Sequence, residues 1–159
     1  MYTKNIFLTG KNLEDFLNKV VTGTWVLNPY MKKGTINVNG DVDMSNMNLE
    51  YIPCNFYVVT GNFNCSNNKL QDLQGSPLTV RNFNCSNNQL KSLEGAPSKV
   101  NGNFDCSKNL LTNLQHAPDN INNGLFNCDD NQLENTQHNT IVTNGGFTCN
   151  NQKKERSKK

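Results

Sequence analysis

Six cysteines, two histidines and two adjacent acid pairs are the residues of this 159-residue chain with the chemistry of nucleophiles, metal ligands or proton carriers. Five of the cysteines follow a spacing. Cys65, Cys85, Cys106, Cys128 and Cys149 stand 20, 21, 22 and 21 residues apart, each two positions after a phenylalanine (Phe63, Phe83, Phe104, Phe126 and Phe147). Phe-x-Cys puts both side chains on one face of a strand, where a small thiol packs as an apolar group. These cysteines are therefore expected buried and reduced, and an odd ladder of five cannot pair evenly. A zinc site needs ligands paired about two to four residues apart, and neither Cys-x-x-Cys nor a histidine at such a spacing occurs. No metal and no cofactor is expected. Cys54 lies outside the register and is the candidate reactive thiol.

His116 and His138 each fall ten residues after a cysteine, where Gly75 and Gly95 stand in the neighbouring repeats. They read as equivalent turn residues one repeat apart, not as a catalytic pair. The acid pairs Asp129-Asp130 and Glu14-Asp15 are adjacent in sequence, which points their carboxylates in different directions. Nucleophile, phosphate-loop and dinucleotide motifs are absent. No catalytic residue is assigned, and the chain is expected not to be an enzyme; an enzyme reading would rest on Cys54 as a thiol nucleophile.

The repeat that places the cysteines defines the elements. The run Val80-Arg81-Asn82-Phe83-Asn84-Cys85 alternates as a half-buried strand does, with Phe83 and Cys85 inward and Asn82, Asn84 and Ser86 outward. After each cysteine come Asn at +3 (Asn68, Asn88, Asn109, Asn131) and Leu at +5 (Leu70, Leu90, Leu111, Leu133). A further Leu at +8 (Leu73, Leu93, Leu114) precedes Gly-x-Pro turns at Gly75-Ser76-Pro77 and Gly95-Ala96-Pro97. A sixth, divergent copy centres on Met44. An inward Asn at the strand exit can bond free backbone groups above and below it, a need that recurs once per coil of a stack. The expected fold is mainly β, a short parallel solenoid of about six coils whose backs are turns or extended chain.

Phe-x-Cys-x-x-Asn-x-Leu falls on the Leu-x-Leu-x-x-Asn-x-Leu core of leucine-rich repeats, and over residues 36–152 the chain resembles that family. Met47, Thr136 and Asn151-Gln152 depart from the pattern, as end copies do. The resemblance implies a recognition surface. The CSNN-x-L form looks like small proteins of large tailed bacteriophages, which implies an inhibitor of a host enzyme, such as the protease Lon or a defence protein, in the cytoplasm of an infected bacterium.

Residues 1–35 do not repeat. Leu13, Phe16, Leu17, Val20 and Val21 have helical spacing, with Thr9 or Asn12 as cap and Gly23 as stop. Thr24-Trp25-Val26-Leu27 follows as a short strand, and helix and strand are expected to seal one end of the stack, with Trp25 in the seal; the other reading of Trp25 is an exposed binding hot spot. Residues 153–159, KKERSKK, carry five basic groups and one acidic, whereas the whole chain is only +2. The body thus has no basic stripe for nucleic acid. Neither an 18-residue apolar run nor a leader-like start is present, so a soluble, intracellular protein without membrane contact is expected.

The outward strand positions are the candidate partner-binding residues: Asn62, Asn82, Asn103 and Leu125 in one row, Asn64, Asn84, Asp105 and Asn127 in the next, and Ser66, Ser86, Ser107 and Asp129 in the third. Together they would form a polar face, acidic toward the last coils, suited to a basic protein groove. The alternative is a structural or virion-associated protein that binds glycan, with Tyr30, Tyr51, Phe56 and Tyr57 as the aromatics available for stacking. A homodimer through the last strand, near Phe147 and Cys149, is a further expectation.

Overall fold

The computed structural model describes residues 8–31, 34–134 and 142–152. It is a β-solenoid of about five turns with one helix at its beginning. Helix α1 (Gly10–Val20) is amphipathic and buries Leu13, Leu17 and Val20. Thr9 holds the N-cap position in extended backbone without a side-chain cap bond. The helix ends at Val20, earlier than Gly23 suggested, because Val21 already opens strand β1 (Val21–Leu27), which runs antiparallel to β2 (Thr35–Asp43). Gly23 serves inside that pair instead. It faces Gly40 at φ 129°, where a Cβ would lie 2.2 Å from the Asn39 carbonyl oxygen.

The nine-residue β2 starts two parallel ladders. Its first half pairs with β3 (Asn55–Val59), followed by β5 (Thr79–Val80), β7 (Lys99–Val100), β9 (Asn120–Ile121) and β11 (Val142–Thr143). Its second half pairs with β4 (Asn62–Asn64), then β6 (Asn82–Asn84), β8 (Phe104–Asp105), β10 (Phe126–Asn127) and β12 (Phe147–Thr148). Each rung thus holds two short strands with a corner between them, where the sequence pattern suggested one. Among the described residues no helix backs the coils; turns and extended chain do, as expected.

The register explains the irregular repeat length. From the phenylalanine of one rung to the ladder residue of the next is always 17 residues: Phe63 to Val80, Phe83 to Val100, Phe104 to Ile121 and Phe126 to Thr143. The corners vary instead, with four residues from Val59 to Phe63, three from Val80 to Phe83 and five from Ile121 to Phe126. Close rung spacing leaves little room there. A Cβ on Gly124 would meet the Gly102 carbonyl group at 2.1 Å, and one on Gly145 would meet Gly124 at 2.6 Å.

Inside the coil run continuous columns. Phe63, Phe83, Phe104, Phe126 and Phe147 stack with centroids 5.2–5.5 Å apart and planes within 16° of parallel. Beside them lie the cysteine column and the two leucine columns. Phe56 closes the aromatic column at the first coils, edge-on to Phe63 at 5.2 Å.

Candidate functional site

The inner side chains establish first what they do not do. Cys65, Cys85, Cys106 and Cys128 are fully buried, and each thiol donates to a carbonyl of the next rung at 3.1–3.4 Å. Among the described residues all six cysteines are free thiols, and no group of His, Cys, Asp and Glu is arranged to hold a metal. Burial pushes every one of these thiols up: Cys54 to about 12, Cys65, Cys85, Cys106 and Cys128 far above the ordinary thiol value, and Cys149 by less. A nucleophilic thiol needs a depressed value and access. Cys54, the candidate reactive thiol, has neither.

The asparagine column carries the stack. Asn88 donates from Nδ2 to the carbonyls of Cys85, Ser86 and Cys65, and its Oδ1 accepts from the N–H of Leu70. Asn68, Asn109 and Asn131 repeat this arrangement. In the last rung, where the pattern breaks, Gln152 takes the place. It donates to the carbonyls of Cys128 and Asn150 and accepts from the N–H of Leu133.

The Asn before it has a different task, which residue type alone does not reveal. Position +2 after the cysteine is left-handed in every such rung, with φ of 54–56° at Asn67, Asn87, Lys108, Asp130 and Asn151. Asn and Asp tolerate that region at small cost; Lys108 is held there by the rungs on either side, its N–H donating to the Asp129 carbonyl and the carbonyl of Ser107 before it accepting from the N–H of Asn87. His116 is left-handed too, at φ 66°, in the position of Gly75 and Gly95, which agrees with its reading as a turn residue. His138 lies outside the described residues, as do Thr136 and the tail 153–159.

The three rows of candidate partner-binding residues separate. In the first, Asn82 donates from Nδ2 to Asn62 Oδ1 at 2.6 Å, the N–H of Asn103 donates to Asn82 Oδ1, and the N–H of Leu125 to Asn103 Oδ1. In the second, Asn64, Asn84, Asp105 and Asn127 each accept through Oδ1 from the backbone N–H two residues on. That local bond bends the chain after the cysteine and breaks the alternation. In the third row Ser66 and Ser107 are consequently buried, 5% and 7% exposed, and Ser86 is half-buried, so these serines do not present an outward surface. Asp129 is half-buried and accepts from the N–H of Asn150 at 2.5 Å.

What remains outward is a shallow groove of about 370 Å³ lined by Asn62, Asn64, Asn82, Asn84, Asn103 and Asp105 over the edges of Phe63 and Phe83. A second groove, about 470 Å³, runs along the left-handed turns and is walled by amides, among them Asn46, Asn67, Asn87 and Gln89. Sequence reasoning missed it because it rests on the conformation at position +2. Trp25 is half-buried against the core and donates from Nε1 to Asn18 Oδ1 at 3.2 Å, tying strand to helix. No helix among the described residues is long and apolar enough to cross a membrane. Compared with protein families, with characterised proteins and with solved structures, the chain matches none.

Proposed function

We propose that the chain is a non-catalytic protein-binding module of leucine-rich-repeat-like design, acting as a phage-encoded inhibitor of a host enzyme, with Lon protease or a defence protein as the target. The observation that carries this reading is the fixed outward row. Asn62, Asn82 and Asn103 bond one another and the backbone, so a partner meeting this face would order few side chains, and binding would lose little conformational entropy. Asp105 and Asp129 add negative charge toward the last rungs and favour a basic partner groove.

The test is affinity capture from bacterial lysate, with the native protein beside an Asn62→Lys, Asn103→Lys variant whose fold is checked by circular dichroism. A protein retained by the first and lost from the second is the expected result; nothing above bead background would retire the reading. Purified Lon degrading casein with and without the chain tests the named target.

The amide-walled groove favours a second reading, a virion-associated protein that binds glycan, because amides can bond sugar hydroxyls. Mass spectrometry of purified particles separates the two: presence in the virion supports the second, absence the first.

A further inference from the structure

Among the described residues, four of the six large exposed apolar ones, Val26, Leu27, Tyr30 and Met31, lie on strand β1 or in the turn after it, and Tyr30 is 93% exposed. Among the described strands β1 pairs with β2 alone and is therefore also a sheet edge. The N–H of Asn28 donates to the carbonyl of Thr35, and antiparallel strands present alternate residues to each other. Val26 and Thr24 therefore face β2, while the N–H and C=O groups of Gly23, Trp25 and Leu27 point away from it. The other strand agrees: Val38 and Gly40, opposite Trp25 and Gly23, turn their carbonyls toward Thr60 and Gly61 on the far side. Helix α1 leaves this edge open, since Thr22, Gly23, Thr24, Val26 and Leu27 are all exposed.

Natural sheet edges are guarded by charge, proline or a bulge. The edge sequence Val-Thr-Gly-Thr-Trp-Val-Leu contains no charged residue and no proline. At the other end, by contrast, the last rung leads directly into the basic run KKERSKK, whose like charges oppose the approach of a second copy.

We propose that β1 is a dimerisation edge, pairing antiparallel with β1 of a second copy about a two-fold axis at Trp25. In that register Trp25 meets its own counterpart, Leu27 lies opposite Gly23, and Val26 opposite Thr24. A large side chain then faces an absent one at both symmetry-related places, as a self-complementary interface requires. The ladder also ends without stranding a donor. The next outward position pairs Val21, whose N–H already bonds the Leu17 carbonyl, with Pro29, which has no N–H. Closure of the edge joins two solenoids into one continuous sheet and covers the apolar segment. In this arrangement the end near Phe147 and Cys149, where the sequence led to the expectation of self-pairing, stays free.

Sedimentation equilibrium of the full chain from about 1 µM to 1 mM reads the outcome. The expected result is a species of twice the 17.9 kDa chain mass that Leu27→Lys converts to monomer and Phe147→Lys does not. The register is tested by oxidising Thr24→Cys and Val26→Cys variants in a Cys149→Ser background. Positions 24 and 26 would face each other as a non-hydrogen-bonded pair with Cα atoms about 4.5 Å apart, within disulfide reach, so the mixture cross-links and neither variant does so alone. A monomer at every concentration, or a dimer that survives Leu27→Lys in a correctly folded chain, overturns the proposal. A dimer dissolved only by Phe147→Lys assigns pairing to the opposite end and overturns it equally.

Discussion

Asn88 is bonded to four backbone groups spread over two rungs, and it is buried. Truncating it leaves the Leu70 N–H without its partner, at about 1–3 kcal/mol for a buried loss, while the carbonyls of Cys65, Cys85 and Ser86 keep the bonds from Asn68, Asn109 and the N–H of Asn67. Asn88→Ala is therefore expected to destabilise the protein by about 1–3 kcal/mol, read as a shift in the urea midpoint; a shift within error would show that water replaces the amide. The thiols give a second prediction at this scale. Below the ordinary thiol value of 9.0, folded and unfolded chains both keep their protons. Above it the unfolded chain ionises while the buried thiols do not, so stability falls as pH climbs from 9.0 toward the value of about 12 reached by Cys54. Urea midpoints across that range check the slope. Ellman's reagent at neutral pH should find only half-buried Cys149 reactive among the described cysteines. The inward Phe, Cys, Asn and Leu columns were legible because their types recur at fixed offsets. The left-handed turn was not, because Asn67 and Asn68 are the same residue type in opposite roles, and Lys108 occupies it against its own preference. Nor was the burial of Ser66, which depends on a bond made by its neighbour Asn64.

At the scale of elements, the 17-residue back arc is the fixed part and the corner the adjustable one. A Gly inserted between Asn101 and Gly102 lengthens a corner to the five residues already present between Ile121 and Phe126, and the expected cost is within about 1 kcal/mol. The same insertion between Lys91 and Ser92 shifts Leu93 out of its column and should cost at least about 3 kcal/mol, a core disruption by any measure. Chemical denaturation of the two variants compares them; equal costs would refute the division. The helix was read correctly as amphipathic, but its end was placed at Gly23 because glycine commonly stops helices. Here the close approach of β1 to β2 requires the glycine instead. The split of each strand into two was hidden for a related reason: Arg81, at the corner of the most regular copy, carries no turn signal of its own.

The whole molecule is a one-dimensional stack in which each rung contacts its neighbours, and its backbone bonds have a direction. The N–H groups of the rung phenylalanines and cysteines donate to the following rung, from Cys65 to Asn84 up to Phe126 to Gly146 and Cys128 to Thr148. Those of Phe147, Cys149 and Asn151 have no rung beyond them among the described residues. Hydrogen exchange should accordingly be fastest at these three amides and slowest at Phe83, Cys85 and Phe104, with a graded rise between. Uniform protection would mean that the stack opens only as a whole. The solenoid itself was legible from five registered copies. Which of its surfaces stays available to a partner was not, because that depends on which amides bond one another across rungs, and the spacing is the same either way.

The aromatic column is half-open at Phe147, which is 39% exposed and, among the described residues, stacked on one side only, by Phe126. Under tension applied at that end, the chain should yield like a ratchet unwinding. Each released tooth would pay out roughly 70–75 Å of slack, the contour length of about 21 residues, and the order of rupture would run backward through the sequence toward the helix.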